Sequence, residues 1–173
     1  MRGWHSGGMI IYTDDPSGTE PAQLRGFFEG WPDPPSPTTH LRLLRASDAI
    51  MLAKEAPGGQ VVGFATAITD GVLTGYIPLL EVLPSHQGQG IGSELIERLL
   101  RKLDHLYMID LLCDPDLQPF YERLGMRRAT GMMMRNYGRQ SGGKCHVTDP
   151  GMTSPVAAPS DSLGSGCVAG DQK

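Results

Sequence analysis

Apolar positions follow two different periods along this chain, and the changes of period mark out its elements. From residue 91 to 106, Leu95, Ile96, Leu99, Leu100 and Leu103 form one helical stripe. On the other side, Glu94 with Arg98 and Glu97 with Arg101 stand four apart, a solvated face. Short apolar runs at 9–12, 49–54, 61–69, 73–83 and 107–112 read as strands, the last a buried one. Pro57-Gly58-Gly59 joins the second and third runs as a hairpin, and Asp70-Gly71 starts the next turn. Pro78 lies inside 73–83 and removes a ladder hydrogen bond, so a bulge or a locally unpaired position is expected there.

The remaining pattern is shorter. Residues 21–28 can form a helix with Leu24, Phe27 and Phe28 on one face. The proline-rich stretch 31–37 is a loop ending in Ser36-Pro37, an N-cap followed by proline at the first helical position. That next helix turns Leu41, Leu43 and Leu44 inward. Asp116 can cap a further helix with Pro119 in its first turn, and Gly125 can end it. Residues 129–136 read as a last strand, with Met132, Met133 and Met134 packed in the core. Residues 141–173 are rich in Gly, Ser and Pro and hold too little apolar surface to offset chain entropy. The expected organisation is an extension at 1–8, one domain at 9–140 and a disordered tail at 141–173.

A chain of 173 residues suffices for one domain with a full core. Its net charge of −4, with no run of like charges, argues against a nucleic-acid partner. Cys113, Cys145 and Cys167 form no Cys-x-x-Cys pair, and no Cys/His spacing suggests a metal. Reduced thiols, no signal peptide and no apolar run of membrane-spanning length together lead us to expect a cytoplasmic protein without a membrane anchor.

The chemistry concentrates at Gln87, Gly88, Gln89, Gly90, Ile91 and Gly92, a glycine turn running into the long helix at Ser93. Free N–H groups at a helix start, the helix dipole and glycine's small size together make an anion site. The dinucleotide fingerprint fails because Ser93 stands where its third glycine belongs, and a P-loop fails for want of lysine. An ordinary tight turn would use the same residue types.

The turn resembles the pyrophosphate loop of the GNAT acetyltransferases, Arg/Gln-x-x-Gly-x-Gly/Ala, with Gln87, Gly90 and Gly92 at the marked positions. Val82-Leu83-Pro84 resembles the family's Val-x-Pro before that loop, and Phe120-Tyr121 through Gly125-Met126 resembles its Phe-Tyr-x-x-x-Gly-Phe signature. The resemblance covers residues 9–139. It implies an α/β fold of the α+β type, with a mixed, mostly antiparallel sheet of about six to seven strands and about four helices. It also implies acetyl-CoA as co-substrate, no metal, and an N-acetyltransferase acting by direct attack of a primary amine.

By the same resemblance, residues 87–93 hold the pyrophosphate, and the main chain at Leu80, Glu81 and Val82 meets the thioester and pantetheine arm. Tyr121 protonates the departing thiolate: a phenol of pKa ~10 is neutral at pH 7 and can donate to a sulfur of ~8.5. Glu81, the acidic residue on the fourth strand near the loop, is the candidate base; it could equally be an exposed residue or an ion-pair partner. The glutamate some members carry on the fifth strand is Ile109 here. His86 beside the loop reads as solvent-facing, and Asp110 is a weaker candidate. Asp114 replaces the asparagine that contacts CoA in many relatives, and it can accept from an amide N–H but not donate to a carbonyl. Cys113 reads as a structural cysteine.

The rival reading is a non-catalytic acyl-CoA-binding regulatory module. The acceptor, a small-molecule or peptide amine, is not legible, and the oligomeric state, a homodimer included, stays open.

Overall fold

The computed structural model describes residues 8–142. Its element order is β1 (Ile10–Thr13), α1 (Pro37–Ala46), β2 (Ala49–Glu55), β3 (Val61–Thr69), β4 (Thr74–Val82), α2 (Ile91–Lys102), β5 (Met108–Asp110) and α3 (Gln118–Arg123), with short 3-10 turns between. The described residues form one mixed sheet in the order β1-β2-β3-β4-β5. β1 to β4 are antiparallel neighbours, and β5 joins β4 in parallel after the crossover through α2. The class is the expected one, with five strands and three helices among the described residues where about six to seven strands and about four helices were expected.

Two layers cover the sheet. α2 lies so close to β3 that a Cβ at Gly63 would sit 3.0 Å from Leu95 and 3.3 Å from Ile91, a tight approach that glycine allows without displacing either side chain. Its stripe Leu95, Ile96 and Leu99 is fully buried. The opposite face of β3 presents Phe64 and Thr66. On it pack the rings of Phe27 and His40, 5.1 and 4.4 Å from the Phe64 ring. Ser36 caps α1 by accepting from the Thr39 N–H, as its sequence requires.

Several expectations are met in detail. The register between β3 and β4 shifts between Thr66 and Ile68, opposite Pro78, where the bulge was expected. Gly125, at φ 91°, closes α3 with two bonds: its own N–H to Glu122 and the Met126 N–H to Tyr121. Pro119 does stand in the first turn of α3, but the Asp116 side chain caps neither that helix nor the 3-10 turn Pro115–Leu117 that holds it.

Other segments differ. Residues 21–28 are not a helix: after the 3-10 turn Pro21–Gln23, Gly26, Phe28 and Gly30 take φ of 86°, 62° and 80°. Leu24, Phe27 and Phe28 are buried all the same, so the apolar residues were read correctly and the backbone was not. Residues 129–136 form no strand. Gly131 crosses Leu112 so tightly that a Cβ would meet it at 2.4 Å, and Met132 and Met134 point outward, 96% and 93% exposed, instead of into the core. The fifth strand is shorter and less buried than expected because it is the sheet edge, with Tyr107 82% exposed. α2 stops at Lys102, with Leu103 as its C-cap.

Arg42 Nη2 donates to the Gly142 carbonyl at 2.7 Å, so residues 141 and 142 dock on α1. The rest of the expected tail, residues 1–7, Cys145 and Cys167 lie outside the described residues. Among the described residues, no helix is long and apolar enough to cross a membrane.

Candidate active site

The turn from β4 into α2 is built by two left-handed glycines. Gly88 and Gly90 have φ of 71° and 81°, and a Cβ on either would meet nothing within 4 Å. Glycine is therefore favoured by the backbone, and the space above the turn is open. Gly90 is the N-cap of α2 and offers no side-chain acceptor. The Glu94 N–H bonds the Gly90 carbonyl, and the N–H groups ahead of it, at Ile91, Gly92 and Ser93, precede the intrahelical ladder. They are oriented donors at the positive end of a helix of 12 residues.

Side chains fix this turn from behind. Gln87 Nε2 donates to the Val82 carbonyl at 3.0 Å, and Gln89 Nε2 to the Ser85 carbonyl at 3.3 Å. His86 is not solvent-facing as expected: its Nε2 meets Glu55 Oε1 at 3.2 Å and its Nδ1 meets Ser85 Oγ at 2.8 Å. It ties the turn to the end of β2.

β4 and β5 part company near the middle of the sheet. They pair from Thr74 with Met108 to Tyr76 with Asp110, yet β4 runs on to Val82. The Leu83 N–H bonds the Val62 carbonyl, and Val82 faces Gly63. By the alternation of an antiparallel ladder, the main chain at Leu80 and Val82 turns away from β3, toward the split, while Glu81 turns its own N–H to β3. Of the three expected main-chain positions, Leu80 and Val82 face the gap.

Tyr121 is buried on α3, its ring edge-on to Phe120 at 4.9 Å. With Tyr76, Asp110, Cys113 and Gln118 it lines a cavity of ≈ 1210 Å³ running along β5 and α3. Cys113 is half-buried and forms no disulfide among the described residues, and Asp114 precedes the 3-10 turn, its carbonyl accepting from the Leu117 N–H. Residues 80–93 do not line this cavity.

Glu81 lies on the opposite face from α2, paired across the ladder with Phe64. It is 6% exposed, and Oε1 accepts the Phe28 N–H at 2.6 Å. Burial pushes its carboxyl up to about 7, against the main-chain donors of Phe28 and Glu29 that favour the charged form. It is neither an exposed residue nor an ion-pair partner. His40, fully buried on α1, is pushed down to about 4 by desolvation and stays neutral.

A model of the acetyltransferase (GNAT) family matches residues 18–126, more than half of the chain. The chain belongs to the GNAT acetyltransferase family. A crystal structure of an acetyltransferase candidate from Deinococcus radiodurans R1 is 49% identical, with TM-score 0.76, over 79% of this chain and 94% of that one. GCN5-related N-acetyltransferase 3, chloroplastic, of Arabidopsis thaliana is 44% identical over 69 residues, 39% of this chain and 29% of the relative. The N-acetyltransferase ycf52 of Pyropia yezoensis is 30% identical over 99 residues, 56% of this chain and 57% of that protein. The chain thus spans less than two thirds of the length of these two relatives.

Within this GNAT domain, sequence reasoning passed over His40, Thr66 and Trp31. Each looked like an ordinary helix, strand or loop residue. The one signal available was a histidine four residues into a helix whose neighbours Leu41 and Leu44 face inward, a position that buries it as well.

Proposed function

We propose that this chain is an acetyl-CoA-dependent N-acetyltransferase that moves an acetyl group to a primary amine by direct attack. The observation that carries the reading is the left-handed glycine turn of 87–92, open above, set at the end of the strand whose main chain is released at Leu80 and Val82. A diphosphate fits the oriented N–H groups of Ile91, Gly92 and Ser93, and the open space over Gly88 and Gly90 lets it approach.

Acetyl-CoA supplies the activated acyl group. This chain's residues supply the rest. The turn holds the donor's charged end, and the Leu80 main chain and the Val82 N–H, the Val82 carbonyl being held by Gln87, pair with an extended arm as an added strand would and offer N–H groups to a carbonyl oxygen. Tyr121, which lines the same cavity as Tyr76, is the proton donor to sulfur. Glu81, held protonatable near neutrality by burial, is the base for the amine, a role an ordinary carboxyl of ~4.3 performs poorly.

The test is thiol release from acetyl-CoA across a panel of primary amines, with the acetylated product identified by mass. Amine-dependent release is expected. Tight acetyl-CoA binding without transfer to any amine would instead identify a non-catalytic acyl-CoA-binding module.

A further inference from the structure

The segment from Leu24 to Trp31 covers Glu81 and is built in an unusual way. Three alternate residues, Gly26, Phe28 and Gly30, are left-handed. Phe28 is the exception among non-glycine residues in the described chain, and a bulky side chain at φ 62° is strained. The segment's hydrogen bonds include the Leu24 N–H to the Pro21 carbonyl, the Phe28 N–H to Glu81, the Trp31 N–H to the Phe28 carbonyl, and Gln60 Nε2 to the Arg25 carbonyl, and the Glu29 main chain also acts on the Glu81 carboxyl. Glycines on both sides of a strained, latched residue are hinge positions.

What lies under it is unsatisfied. Glu81 Oε2, both ring nitrogens of His40, Thr66 Oγ1 and Trp31 Nε1 are buried without an aligned hydrogen bond, the Glu29 and Leu24 main chain acting on Glu81 and His40 less than burial does. Glu81, His40 and Thr66 are 6%, 0% and 0% exposed. These groups surround two phenyl rings. Phe28 stands 4.9 Å from His40 and 5.2 Å from Trp31; Phe64 stands 4.4 Å from His40, faces Glu81 across the ladder and shares its sheet face with Thr66. Each buried polar atom left unpaired costs about 1–3 kcal/mol, so a cluster of them in one place calls for a ligand.

The chemistry of the cluster selects that ligand. A carboxylate oxygen, a hydroxyl and a neutral imidazole nitrogen are three acceptors, and a primary ammonium has three donors. The walls are aromatic, which suits a cation on an apolar stem. Glu29, exposed beside Glu81, adds negative charge next to it. We infer that the acceptor is a primary alkylamine with a compact apolar or aromatic stem, bound beneath residues 24–31 by Glu81, Thr66 and His40 in the place that Phe28 fills. Glu81 then exchanges the Phe28 N–H for the amine, and Phe28 leaves its strained conformation. This rests on the acetyl-transfer reading for the site's purpose, but not for its existence.

The test uses the full chain with Trp4→Phe, which leaves Trp31 as the single tryptophan. With CoA present, 2-phenylethylamine, methylamine and spermine are titrated while Trp31 fluorescence is followed. 2-Phenylethylamine is expected to shift the emission with a Kd at least about tenfold below those of the other two. Glu81→Gln keeps an oxygen for the Phe28 N–H and should weaken that binding by at least about tenfold. Phe28→Gly keeps the left-handed backbone and the N–H but removes the ring. It should tighten 2-phenylethylamine several-fold and leave acetyl-CoA affinity, measured by calorimetry, unchanged. No emission shift, a preference for spermine, or a Kd indifferent to both variants overturns the inference. Failure of acetyl-CoA to bind sinks the acetyl-transfer reading instead, while the fluorescence titration still decides the amine site.

Discussion

Tyr121→Phe keeps the buried ring and its edge contact with Phe120 and removes one hydroxyl. Loss of a general acid slows chemistry by about 10²–10⁴-fold. Acetyl-CoA affinity should hardly change, because the thioester ground state carries no charge on sulfur. Near wild-type turnover in Tyr121→Phe would mean that water or another group protonates the thiolate. Glu81 and His40 make a second prediction, through stability. Glu81, raised from 4.5 to about 7, is protonated when folded and ionised when unfolded between those values, so its contribution falls as pH rises. His40, lowered from 6.5 to about 4, is neutral when folded and charged when unfolded, so its contribution rises with pH. The two slopes oppose each other between pH 4.5 and 6.5. Glu81→Gln should therefore unmask a rise approaching about 1.4 kcal/mol per pH unit, read from urea melts across that window. An unchanged pH profile in this variant would show that Glu81 titrates as an ordinary carboxyl.

At the scale of elements, the turn into α2 is where sequence and backbone agree best. Gly90→Asp places a side chain and a negative charge in the open space over the turn, and aspartate is among the residues that best tolerate a left-handed backbone. Calorimetry should show CoA binding weakened by at least about tenfold in a folded variant; full affinity would move the diphosphate elsewhere. α2, the bulge opposite Pro78 and the Gly125 closure of α3 were legible because each is decided locally, by periodicity, a missing N–H or a left-handed glycine. Residues 24–30 were not, because their path is set by Glu81 and Phe64, which are distant in sequence. The Met132 to Met134 run misled for a related reason: an apolar triplet looks like core, and only the crossing of Gly131 over Leu112 turns it out to solvent. At the site, the glycine turn and Tyr121 could be read from the sequence, whereas the burial of Glu81 and the neutral His40 beside its loop could not. They depend on two layers meeting across the sheet.

On the scale of the whole molecule, the sheet's spatial order is the order of the strands in the chain. β2, β3 and β4 are joined only by the turns at 56–60 and 70–73, so their pairings close short loops, whereas β5 waits for α2 to cross over and then holds β4 through three residue pairs. The consequence is a hierarchy in time. The three-strand meander should form early and be the last part to let go, and β5 should detach while the meander is still intact. Native-state hydrogen exchange would then show the slowest amides at Met51, Phe64 and Ala65 and much faster ones at Ile109 and Asp110; equal protection across all five strands would contradict it. Detachment of β5 carries α3 and Tyr121 with it. The gap beside Leu80 and Val82 is thus bordered by a slow-exchanging wall on one side and a fast-exchanging one on the other, and a bound donor bridging the two should slow exchange at β5 far more than at β3.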